Sequence, residues 1–163
     1  MSVNKYKSHV FVLPEDDANH QIAHGFQLHE SVDRRVIQVL PCPGGWTKVR
    51  DEFAKTHIAE MDRNARRHMV LVVDFDQDRS RLDDMKSVIP SRLTDRVFVV
   101  GVWSQPEELR SAQGFGLEEV GIKLAEECRE GSRSVWNHPL LQHNAQEVDR
   151  MTERLKPFLF HAE

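Results

Sequence analysis

Four short apolar runs rich in β-branched residues punctuate an otherwise polar chain: His9 to Leu13, Arg35 to Leu40, Met69 to Val73 and Arg96 to Val102. Runs of this length predict strands, and their lack of strict alternation predicts strands covered on both faces. Between them, apolar side chains recur every third or fourth position. Ile22, Ala23 and Phe26 do so within Asp17 to Glu30, and Trp46, Val49, Phe53, His57 and Met61 within Trp46 to Asn64. Leu82, Met85 and Val88 or Ile89 follow the same spacing in Arg79 to Leu93, which ends near Pro90. That spacing lines one side of a helix. Strands and helices in alternation predict an α/β domain with a mostly parallel sheet of about four strands and helices on both faces, because parallel neighbours need a crossover that a helix supplies.

From about Gly114 the pattern changes to a helical extension: a helix over Leu117 to Arg129, a loop over Gly131 to His138, and a second helix over Leu140 to Leu155. No linker, repeat or low-complexity segment interrupts the 163 residues, so one domain is expected. The chain is 39% hydrophobic, which is enough for a core. Its formal net charge of −4, from 26 acidic and 22 basic side chains, gives no global field to hold a polyanion. A nucleic-acid substrate would need a local basic patch. The two cysteines, Cys42 and Cys128, match no metal-ligand spacing, and the N-terminus lacks the apolar stretch of a signal peptide, so a cytoplasmic, disulfide-free protein is expected. No apolar segment approaches the roughly 20 residues that cross a bilayer.

The chemistry gathers where apolar runs end. The third run stops at Asp74-Phe75-Asp76, with Asp78 just beyond, and the first stops at Glu15-Asp16-Asp17. Residues i and i+2 of a strand share a face, so Asp74 and Asp76 are expected to point together. Ligands on parallel sheets sit outside the carboxyl ends of the strands, where both clusters fall. Carboxylates held close repel one another unless a cation neutralises them, which points to a hard divalent ion, Mg2+ or alternatively Mn2+. Asp16 or Asp17 has a plainer reading as the N-cap of the following helix. Gly44-Gly45 could leave backbone N–H groups free for a phosphate, or could simply form a tight turn that needs positive φ. Without the Lys and Ser/Thr of a P-loop, nucleotide triphosphate hydrolysis has little support.

Basic residues cluster at Arg34-Arg35, at Arg63, Arg66 and Arg67, and at Arg79 and Arg81. Arg79 and Arg81 follow the acidic pair and could engage a substrate phosphate, or could serve only as a solvated helix start. The Arg63 group precedes the third strand and so falls at the opposite sheet end, as scaffold or interface. His138, His143 and Asn144 form no zinc spacing, and a structural or surface role is expected for them. Trp103 and Trp136 could stack bases, but core burial fits them better.

The order of these parts resembles the Toprim domain, the metal-binding module shared by topoisomerases, bacterial primases and small nucleases. Glu15 matches the family's glutamate after the first strand, and Asp74-Phe75-Asp76 matches its Asp-x-Asp after the third. Pro43-Gly44-Gly45 resembles a glycine-containing turn common in its nucleases. The resemblance spans about Lys7 to Val102 and departs from the family where Asp16 and Asp17 replace the usual glycine. It implies a Rossmann-like sheet and a Mg-dependent nuclease or related phosphoryl-transfer enzyme. Glu15 would serve as general acid or base or as a ligand, Asp74 and Asp76 as catalytic ligands, and an ATPase- or helicase-type protein would be a partner. A weaker resemblance is to response-regulator receiver domains, with Asp74 as phosphoacceptor and Ser104 as the Ser/Thr switch. The span from Asp17 to Asp74 is long for that family, and no fifth strand ending in lysine is evident; Lys123 falls in a helix. A non-catalytic partner-binding domain is a third reading, because one fold hosts many functions.

Overall fold

In the computed structural model, which describes residues 3–162, the four strands form one all-parallel sheet in the order β2-β1-β3-β4. They are β1 (His9–Pro14), β2 (Ile37–Val39), β3 (Arg67–Val72) and β4 (Val97–Val100). In register, Val12 of β1 lies between Val39 of β2 and Val70 of β3, and Leu71 of β3 lies beside Val99 of β4. The α/β class, the parallel sheet and the helices on both faces agree with the hydrophobic pattern, and the arrangement is Rossmann-like.

Strand parity sorts the core into two layers. Val10, Val12, Val70, Val72, Phe98 and Val100 face one side. There they meet α1 (Asp17–Leu28), α5 (Pro106–Gln113), α6 (Leu117–Glu130) and α7 (Ala145–Leu159). Phe11, Leu13, Met69, Leu71, Val97 and Val99 face the other side. Their neighbours are α2 (Trp46–Glu52), a π-helical turn (Phe53–His57), α3 (Ile58–Arg63) and α4 (Arg79–Ser87). The sequence periodicity treated residues 46–64 as one helix; the chain does stay helical there, with the π turn burying Phe53 and His57.

Helix limits follow local chemistry. Asp16 caps α1 by accepting the Asn19 N–H at 3.0 Å, and Asp78 caps α4 through Ser80. The periodicity passed over α5, yet its signals are in the chain: Pro106 opens it, Glu107 and Glu108 follow in the first turn, and Gly114 closes it in the left-handed region at φ 75°. The last helix begins at Ala145 rather than near Leu140, because a 3-10 turn (Gln142–Asn144) precedes it. Helices α1 and α6 meet backbone to backbone at Gly25 and Gly121; a Cβ on Gly25 would stand 1.8 Å from the Glu118 carbonyl oxygen. The chain's end is tied back by an antiparallel bridge between Val32 and Phe160. No helix among the described residues is long and apolar enough to cross a membrane.

This topology fixes where a site can form. From β1 the chain crosses to β2 on one flank, and afterwards to β3 and β4 on the other. The strand order therefore reverses between β1 and β3, and the crevice outside their carboxyl ends is where such sheets hold ligands.

Candidate metal centre at the strand ends

Glu15 and Asp16 leave β1 at this reversal point, and Asp74 leaves β3 beside them. Each of the three offers an oxygen within 4.8 Å of the others. The cluster is built inward: Glu15 is 9% exposed and Asp74 5%. The Asp74 N–H donates to Glu15 Oε2 at 2.6 Å, so the first strand's glutamate is locked onto the third strand's backbone. From the first turn of α1, the fully buried Asn19 donates through Nδ2 to Asp16 Oδ1 at 2.9 Å and to Asp74 Oδ1 at 3.0 Å. Its own Oδ1 has no partner among the described residues. Asp16 thus joins two roles that the sequence reading kept apart, since it caps α1 and contributes to the cluster.

The electrostatics follow from that packing. Two unit charges at this separation repel by about 3 kcal/mol at an effective dielectric of about 20, so three ionised carboxylates do not coexist without compensation. Burial, reinforced by the charges of Glu15 and Asp16, pushes the Asp74 carboxyl up to about 7, against the pull of Asn19 and Arg81. Burial also raises Glu15, although the N–H groups of Asp74 and Trp46 draw it back. Asp74 therefore keeps its proton through mildly acidic pH and gives it up around neutrality.

The other candidates lie around this centre without entering it. The extended pairing of the third strand continues past Val72, with the Phe75 N–H donating to the Val102 carbonyl at 3.0 Å. Asp76 and Gln77 then turn left-handed at φ 49° and 57°. This breaks the i, i+2 rule that placed Asp74 and Asp76 on one face. The Asp76 side chain is 58% exposed and faces Arg81 at 3.5 Å. Asp78 is exposed and engaged with Ser80, whose hydroxyl and N–H hold its carboxyl below the usual range.

Arg81 braces the loop, donating to the Asp74 carbonyl at 2.9 Å while its guanidinium lies 5.2 Å from the Trp46 ring centre. Arg79 points elsewhere, lining a pocket of about 210 Å³ with Phe75, Trp103 and His143. Gly44 and Gly45 adopt φ 93° and 155°, and both of their N–H groups donate to the Glu15 carbonyl, at 2.9 and 3.2 Å. They form the tight turn, and those N–H groups are not free for a phosphate; their effect is to hold Glu15 in place.

The residues of the receiver-like reading are also located. The Ser104 hydroxyl donates to Glu108 at 2.7 Å, Lys123 of α6 lies over the Phe115 ring, and no described strand follows β4. Trp136 is buried and Trp103 half-buried beside His143. Asn144 is structural, exchanging hydrogen bonds with the backbone of Gly101. Sequence reasoning missed Asn19 as the bridge between carboxylates. Its one signal was its place three residues after a capping aspartate. Comparison with family models, with curated proteins and with solved structures gives no match.

Proposed function

We propose that the protein is a divalent-cation-dependent phosphoryl-transfer enzyme, a nuclease acting on nucleic-acid phosphodiesters. One observation carries this reading: three carboxylates from two adjacent strand ends converge at the sheet's reversal point, Glu15 and Asp74 buried and Asp16 half-buried, and a buried amide holds two of them in place. The all-oxygen donor set suits Mg2+ or Mn2+. Glu15, Asp16 and Asp74 would hold the ion, which when bound supplies stabilisation of charge on a phosphoryl oxygen and a water of lowered pKa.

The chain's own side chains do the rest. Asn19 fixes the Asp16 and Asp74 oxygens, and the Gly44-Gly45 turn fixes Glu15. Glu15, raised by burial, is suited to hold or release a proton. Arg81 stands at the rim, where a charge-assisted contact to a phosphate oxygen would compete with Asp76.

The test is cleavage of labelled single- and double-stranded DNA and RNA, with Mg2+, with Mn2+ and with chelator, alongside Asp74→Asn and Glu15→Gln. Metal-dependent cleavage that disappears in both variants supports the reading. Cation binding without cleavage of any of the four substrates would reduce it to a binding module. A stable acyl phosphate on Asp74 after treatment with a small phosphodonor would replace it with the receiver-like alternative.

A further inference from the structure

The amino ends of the strands carry the opposite charge to the carboxyl ends. Segments that lead into β1, β2 and β3 bring Lys5, Lys7, Arg34 and Arg66 to this edge, all exposed. Backbone contacts fix their positions. The Asn4 N–H donates to the Arg35 carbonyl at 2.8 Å, which joins the β1 and β2 approaches. Asn64 joins the β1 and β3 approaches, donating through Nδ2 to the Lys5 carbonyl at 3.2 Å and accepting the Arg66 N–H at 3.0 Å through Oδ1. The His9 N–H closes the set by donating to the Arg66 carbonyl at 3.1 Å.

Other cations at this edge have acidic partners, as Arg63 has Glu60 and Arg92 has Asp62. Lys5, Lys7, Arg34 and Arg66 have none among the described residues. Between the two lysines stands Tyr6, 85% exposed, the one large hydrophobic side chain so displayed among the described residues. A protein of net charge −4 that gathers unpaired cations at one edge holds a local field for a polyanion there. An aromatic ring displayed among such cations adds a surface on which a base can stack.

We propose that this edge binds single-stranded nucleic acid, with Lys5, Lys7, Arg34 and Arg66 on the phosphates and Tyr6 stacked on a base. It goes beyond the function proposed for the carboxylates. β1 alone separates the two ends by about 20 Å at ~3.3 Å per residue, so this surface is an exosite. Phosphate contacts supply sequence-independent, salt-sensitive affinity, while stacking selects strands whose bases are unpaired.

The experiment is fluorescence anisotropy of labelled oligo(dT) and oligo(U) of about 20 nucleotides, in chelator, across a salt series. Chelator and the Asp74→Asn variant remove any contribution of a cation, so failure here is distinguishable from failure of the enzymatic reading. The combined variant Lys5→Glu, Lys7→Glu and Arg66→Glu is expected to weaken binding at least tenfold and to lower the slope of log affinity against log salt by about two. Tyr6→Ala is expected to weaken it about fivefold or more with the slope unchanged. All four side chains are exposed, so unchanged circular dichroism and thermal midpoints are expected of both variants. Absence of binding by the parent protein, or parental affinity in the charge-reversed variant, overturns the proposal. So does an unaffected Tyr6→Ala variant whose bound strand is displaced equally well by inorganic polyphosphate, which would show a general polyanion surface.

Discussion

The two ends of one sheet handle buried charge in opposite ways. At the carboxyl ends, Glu15 and Asp74 are buried with like-charged neighbours, and burial raises both above their ordinary range. At the amino ends, the buried cation is Arg67, 5% exposed. Its guanidinium lies 4.2 Å from the Phe11 ring centre, and its Nε donates to His9 Nε2 at 3.1 Å. Burial lowers Arg67, His9 and His68 alike. The cation is accommodated by a ring face and a neutral imidazole, both of which favour a single positive charge. Among the described residues the carboxylates have only neutral donors, the N–H groups of Asp74 and Trp46 on Glu15 and Asn19 on Asp16 and Asp74, with the Arg81 guanidinium held on the Asp74 carbonyl. The buried cation at one end is thus satisfied by its own neighbours, whereas the buried carboxylates at the other are left with like charges beside them.

The largest expected effect breaks this comparison at its carboxylate end. Asp74→Asn and Glu15→Gln should each lower metal-dependent cleavage by about a hundredfold or more, measured as single-turnover rates. Retained cleavage in either variant would place the chemistry elsewhere on the molecule.

At the opposite end, Arg67→Ala should destabilise the fold by about 3 kcal/mol in urea unfolding, because it leaves a void over Phe11 and removes the donor to His9. A change below ~0.5 kcal/mol would mean that the stacked guanidinium contributes nothing net.

Next in size is a gain of stability. The Asp74 carboxyl binds its proton more tightly folded than unfolded, so the native state holds the extra proton between about pH 4 and 7 and stability falls as pH rises through that window. Asp74→Asn should therefore stabilise the metal-free protein by up to a few kcal/mol at pH 8 and by little at pH 4. Saturating Mg2+ should stabilise the parent but not the variant. A gain independent of pH would sever the link to this carboxyl.

The smallest effect separates the cluster from its surroundings. Asp78→Ala should lower the thermal midpoint by about 2–4 °C through loss of the α4 cap, while cation affinity stays within about twofold of the parent. A large loss of affinity would make Asp78 a ligand.

How far all this was legible in the chain depended on the range of the interaction. The strands and most helices were readable because parity and the 3–4 spacing are local consequences of backbone geometry: Val10 and Val12 face one layer, Phe11 and Leu13 the other. Glu15, Asp74 and the arginines before β3 could be assigned to opposite sheet ends from strand direction alone. α5 was missed because its eight residues hold a single large apolar side chain, Leu109, although Pro106 and Gly114 mark its ends.

The sequence by itself determined the alternation of elements, the apolar layers and the separation of basic from acidic residues along β1 and β3, since these follow from nearest-neighbour backbone geometry. Only the tertiary structure decided which carboxylates meet. It set β1 beside β3, turned Asp76 out through two left-handed residues, and drew Asp16 in through Asn19. It also gathered Lys5, Arg34 and Arg66 from three separate segments. Convergence of residues tens of positions apart depends on strand order and loop conformation, which are settled by the packing of the whole chain.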